Sequence, residues 1–213
     1  MNGPIILIEG LDLAGKSTLF HRLVHEIRIL GLPVRTSRNA LCQENPIAPL
    51  ADNLRRDSTV GFVETGSLFL ASHCWDARHF RPPAADCVHI QDSSWLRTLA
   101  FHTYHHTHAI PEALMAACKT FPTFDGAIFL TASIERRRER LAKREAEQPG
   151  CNDWQDHLVV KAPNEFCALE ERLLKLAVQF ADAVELDTTE LSANEVFDIA
   201  WQCIAPLLPK KSV

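Results

Sequence analysis

The run Gly10-Leu-Asp-Leu-Ala-Gly-Lys-Ser-Thr18 spaces two glycines, a lysine and a hydroxyl residue as a phosphate-holding loop does. Gly10 and Gly15 let the backbone curl, so that amides around Leu13 and Ala14 point inward at an anion. A helix opening at Lys16 or Ser17 adds its positive end. Lys16 reaches the β- and γ-phosphates of a nucleotide as a point charge. The Ser17 hydroxyl is the expected ligand for the accompanying Mg²⁺, and Thr18 is a weaker candidate. The pattern also arises by chance, so its flanks decide: an apolar strand precedes it and an amphipathic helix follows, as the mechanism requires. Asp12 places an acid inside this anion cradle.

Other residues invite chemistry less strongly. His102 and His106 of HTYHHTH share a helical face, but no cysteine or acid nearby completes a metal set, so a packed helix is expected; His21 and His25 also lack a third ligand. In ERRRERLAKRE (135–145), charges four apart support a solvated helix face, with Arg136, Arg137 and Arg138 expected to face water. Trp75 and Trp95 suit either an acceptor pocket or the core.

The elements that must position these residues read as alternating strands and helices, the signature of a parallel sheet covered on both faces. Strands are expected at 4–10, 34–37, 87–92, 127–132 and 183–189. Apolar residues from Leu19 to Leu30 recur at helical spacing and end at Gly31 and Pro33. Further helices are expected at about 67–80, stopped by Pro82-Pro83, and at about 94–109; Ser192 and Glu195 form a capping-box start near the end. The least patterned stretches, 38–59 and 145–161, are the candidate functional loops.

A chain of 213 residues with 46% hydrophobic and 23% charged residues suits a single α/β domain. The net charge of -5 predicts no broad nucleic-acid surface, so phosphate binding must be local. Seven cysteines without a Cys-x-x-Cys pair argue against a disulfide framework or zinc ribbon. The apolar run 4–8 is too short for a membrane span and lacks the basic flank of a signal peptide, so a cytoplasmic location is expected.

The GTPase motif Asn-Lys-x-Asp is absent, and no Asp-x-x-Gly switch follows the phosphate loop, which leaves a small phosphotransferase. IEGLDLAGKSTL resembles the loop of the thymidylate kinases, F-E-G-x-D-G-A-G-K-S-T. SLFLASHCWDARHF (67–80) resembles the family's Ala-Asp-Arg helix, and VHIQDSSWLRTLAFH (88–102) its strand ending in Asp-Arg-Tyr. FLTASIERRRERLAKRE (129–145) resembles the strand and arginine-bearing helix before the lid, and VELDTTELSANEV (184–196) the last strand and nucleotide-base loop.

The resemblance implies a doubly wound P-loop kinase fold, a five-stranded parallel sheet of order 2-3-1-4-5 with helices on both faces and a short lid at about 145–157. It implies ATP and Mg²⁺ as cofactors and a homodimer. It makes Asp12 the carboxylate facing the acceptor's sugar hydroxyl, Asp92 an acid that orients magnesium or its waters, Arg38 a contact to the acceptor phosphate, and Arg140 and Arg144 lid arginines.

Departures concentrate on the acceptor side. Ser93 stands where the family has arginine, Ser72-His73 where the helix carries arginine, and Asn39 where glutamate follows Arg38. Fixed cations bind a phosphomonoester dianion, so their loss bears on the acceptor. In one reading the acceptor is a nucleoside monophosphate, with Arg78, Arg81 or Arg97 substituting from nearby. In the other it is a small molecule with a hydroxyl or guanidino group and no phosphate. A catalytically silent nucleotide-binding protein is the third possibility.

Overall fold

Strand Ile5–Glu9 (β1) is buried at all five positions, as befits a strand covered on both faces. The computed structural model describes residues 2–55, 59–105, 108–152 and 156–210. Ile6 and Ile8 turn to one face, against Leu19, Leu23 and Ile27 of helix Lys16–Ile29 (α1), while Leu7 turns to the other. Strands Val34–Arg38 (β2), Val88–Asp92 (β3), Gly126–Thr131 (β4) and Val184–Asp187 (β5) complete an all-parallel sheet of order β2-β3-β1-β4-β5. This is the architecture expected from the sequence.

The remaining helices are Ala48–Leu54 (α2), Phe62–His79 (α3), Trp95–Tyr104 (α4), Ala109–Ala117 (α5), Ile134–Glu147 (α6), Leu158–Lys161 (α7), Pro163–Ala181 (α8) and Ala193–Ile204 (α9). α1 and α9 cover one face through Leu23, Ile27, Val196 and Ala200; α4, α5 and α8 cover the other through Leu96, Leu99, Leu114, Leu169 and Leu173.

α3 begins five residues before the expected start, and the helix expected at 94–109 ends at Tyr104, with α5 starting separately. His106 lies outside the described residues. α2 lies in a stretch expected to be loop, and α8 was missed although Phe166, Leu169, Leu173 and Ala177 repeat at helical spacing. Ser192 and Glu195 form their reciprocal cap at the start of α9. Among the described residues no helix is long and apolar enough to cross a membrane.

The register brings chemistry to the carboxyl ends of the strands. Arg38 of β2 lies beside Asp92 of β3, which lies beside Ile8 of β1. β1, flanked by β3 and β4, is where chain order reverses, and such switch points open a crevice for ligands.

Candidate active site

The loop between β1 and α1 is held by its neighbours on several elements. Gly10 (φ 132) crosses β4 so closely that a Cβ would stand 2.3 Å from the Leu130 carbonyl oxygen, and Gly15 (φ 97) caps α1. Leu13 adopts φ 65 without being glycine. Five consecutive carbonyls accept from side chains: Gly10 from Arg97, Leu11 from Lys16 Nζ at 2.9 Å, Asp12 from Arg137, Leu13 from Arg140 at 2.8 Å and Ala14 from Thr188 Oγ1 at 3.0 Å. Carbonyls engaged by side chains fix the loop's peptides, and amides so fixed are the groups that could meet an anion.

Beneath the loop, Glu9 is fully buried and accepts from the Gly10 amide at 3.1 Å and from the Ser94 amide at 2.9 Å. Arg97, on the first turn of α4, reaches Glu9 at 3.5 Å and Asp12 at 3.7 Å, and Lys16 stands 3.6 Å from Asp12. Burial pushes the Glu9 carboxyl up, against the pull of Arg97 and Lys16. Burial also works to raise Asp12, but Lys16, then Arg97, Arg55 and Arg144, hold it well below the usual carboxylate range. Burial, then Arg97, lowers the Lys16 ammonium.

Asp92 is buried and pairs with Arg38 Nε at 3.4 Å, while Ser93 Oγ donates to it at 3.2 Å. Asn39 (φ 60) and Ser93 (φ 64) both turn through the left-handed region at this edge, joined by the Asn39 amide donating to the Asp92 carbonyl at 2.9 Å. Gln91 supports the second turn, donating to the Ser93 carbonyl at 2.6 Å.

An open cavity of about 870 Å³ adjoins the loop. Asp12, Lys16, Arg38, Arg55, Arg97 and Arg144 supply its charged side, and Val60, Phe62, Phe69 and Phe101 an apolar wall. His73 joins that wall, bonded to Thr98 Oγ1 at 3.0 Å, with burial lowering its pKa to about 4, so it is uncharged near neutrality.

Of the residues predicted for a site, Asp12, Lys16, Arg38, His73, Ser93, Arg97 and Arg144 line this cavity. Ser17 and Thr18 are exposed on the first turn of α1, next to the loop residues Gly10, Leu13, Ala14 and Gly15. Three placements differ from expectation. Trp95 is buried in the core, its ring 5.0 Å from Phe121 and 5.3 Å from Phe180, because apolar neighbours surround that side of α4. Arg78 is exposed near the end of α3, away from the cavity lining. Arg140 turns to the loop backbone and Thr188 rather than the cavity, although Arg144, one turn on, lines it and pairs with Asp156.

Arg137 corrects the expectation of a solvated arginine run: it is fully buried, bonded to the Ala132 carbonyl at 3.0 Å, the Asp12 carbonyl and Glu170. The i,i+4 charge pattern could not show that a loop carbonyl and a carboxylate would meet this one position. Asp52 and Arg55 were also missed, since α2 and its end lay in the unpatterned stretch, and so was the apolar wall: Val60 and Phe62 precede the expected helix start, and nothing local marks Phe69 and Phe101 as facing a cavity. Asp76 of α3 accepts from the Leu41 amide at 2.6 Å, the Cys42 amide at 3.1 Å and Asn45 Nδ2 at 2.9 Å, tying the loop after β2 to the helix behind the cavity. Among the described residues no three histidine, cysteine or acidic side chains are grouped to hold a metal.

No family model matches the sequence, and no curated protein matches it in sequence. Among solved structures, a thymidylate kinase of broad substrate specificity from Candida albicans matches with a TM-score of 0.69 over 96% of this chain and 92% of that one, at 17% identity. The chain therefore has a thymidylate-kinase-like P-loop kinase fold.

Proposed function

We propose that the protein is an ATP-dependent phosphotransferase that moves the γ-phosphoryl group onto a nucleoside monophosphate or related small acceptor in the cavity. One observation carries the reading: Asp12 and Lys16 belong to the phosphate loop and also line the cavity, so donor and acceptor meet at these residues. Phosphoryl transfer asks the protein mainly for positioning and charge stabilisation, which Lys16 and the inward amides supply on the donor side. Arg38, Arg55 and Arg97 surround the acceptor side, and the phenylalanine wall suits a planar body. Arg55 and Arg97 thus provide cations from other elements where Ser93 and His73 provide none.

Ser17, exposed at the start of α1, and Asp92, at the carboxyl end of β3, are hard oxygen donors of the kind Mg²⁺ takes and would hold the ion that accompanies ATP, Asp92 on exchanging its contact with Arg38. When bound, Mg²⁺ offsets the charge that builds on the phosphates. Cys151, Asn152 and Asp156 line the same cavity, which supports a lid over 145–157; residues 153–155 of that segment lie outside the described residues.

A second reading, a phosphate-free acceptor, is favoured by uncharged Ser93 and His73 and by Arg97 already engaging Glu9 and Asp12. For a hydroxyl acceptor, Asp12 is the carboxylate placed to take its hydrogen bond. An ADP-release screen over thymidylate, other monophosphates, nucleosides and small hydroxyl or guanidino compounds separates the readings. Turnover with a monophosphate supports the first, and turnover confined to phosphate-free acceptors replaces it with the second. ATP binding without turnover on any acceptor indicates a silent nucleotide-binding protein.

A further inference from the structure

Arg137 is the fully buried cation of α6, its guanidinium over the Phe166 ring at 4.8 Å, and its partner Glu170 comes from α8. Burying such a pair is costly unless each donor finds an acceptor, and here the fork is shared among the Ala132 carbonyl, Glu170 and the Asp12 carbonyl. Only the last of these contacts reaches the phosphate loop.

The peptide after Asp12 is planar and trans, so drawing its carbonyl outward turns the Leu13 amide to the opposite side. Leu13 sits at φ 65, a conformation side chains disfavour, and Arg140 holds the peptide that follows it. Two arginines one turn apart on α6 therefore grip the peptides on both sides of a strained residue.

We propose that Arg137, braced by Glu170, is a positioning residue that fixes the Asp12–Leu13 peptide in its phosphate-binding orientation. This rests on the reading of the loop as an ATP-phosphate site. Arg140 alone cannot do this, because within the loop it bonds only the peptide after Leu13. Glu170 acts on the loop through Arg137, which ties α8 to the phosphate site.

The test compares the full chain with Arg137→Lys, which keeps a charge for Glu170 but not the fork, and with Arg137→Met/Glu170→Met, which removes the buried pair without leaving a lone charge. Calorimetry with ATP and with inorganic tripolyphosphate is read beside thermal unfolding. Both variants are expected to melt near the wild-type temperature and to bind each probe about tenfold more weakly, a loss of about 1.4 kcal/mol. A folded variant with unchanged affinity overturns the proposal. A variant that loses its fold, or whose affinity falls only in proportion to folded protein, assigns Arg137 to the core and also overturns it. Wild-type protein that binds neither probe overturns the phosphate-loop reading as well, so the two failures are distinct.

Discussion

Asp12 and Arg97 face each other 3.7 Å apart, the carboxylate from the phosphate loop and the guanidinium from the first turn of α4. The same guanidinium also lies 3.5 Å from the fully buried Glu9, so one cation serves both the carboxylate beneath the loop and the carboxylate within it.

Arg97→Met leaves Glu9 buried without its charge partner. Removing one member of such a pair costs about 3–5 kcal/mol, so the urea midpoint should fall accordingly, and Arg97→Lys should recover part of the loss. An unchanged midpoint in Arg97→Met would show that Glu9 is neutral and needs no partner.

Thr188 Oγ1 is buried and lies 3.0 Å from both the Ala14 and Thr131 carbonyls. Thr188→Val keeps the shape but removes the hydroxyl, so the KM for ATP should rise about fivefold with the acceptor KM unchanged. Equal rises in both would place the effect outside the loop.

Asp76 bears on the other substrate. Asp76→Ala strips two loop amides of their acceptor beside Arg38, and should raise the acceptor KM about tenfold while leaving that for ATP in place. Steady-state kinetics with each substrate varied in turn decides the point.

Burial lowers His73, His89 and His102 to about 4, below their ordinary 6.5. Between these values the unfolded chain binds more protons, so their contribution to stability is complete above pH 6.5 and is lost as pH falls toward 4. Burial pushes Glu170 the other way, up to about 7, and its contribution is lost as pH rises from 4.5 to 7. Glu9, whose carboxyl burial also pushes up, acts in the same direction as Glu170, so three histidines oppose two carboxyls and the urea midpoint should drop between pH 7 and 5. His73→Asn should flatten that slope by about 1.4 kcal/mol per pH unit; an unchanged slope would mean that His73 is protonated in the folded protein.

The strand-loop-helix at Gly10 to Thr18 was legible because its chemistry is local: glycines, lysine and serine must follow one another within a single turn. The inner strands β1, β3 and β4 were equally clear, since burial on both faces favours short runs rich in apolar residues. Arg137 and Trp95 were not legible, because neighbours from α8 and from around Phe121 decide which way they face. α2 hid for a different reason: only Ala51 of its seven residues is buried, so it carries almost no periodic signal. With it went Arg55, a cation that enters the acceptor argument from outside every recognised motif.

The central claim is acceptor-dependent transfer from ATP at Lys16. ADP release with the best acceptor of the screen, compared between wild type and folded Lys16→Ala, tests it most directly. The expected result is acceptor-dependent turnover that falls at least about 10²-fold in the variant. Turnover by Lys16→Ala at the wild-type rate would contradict it.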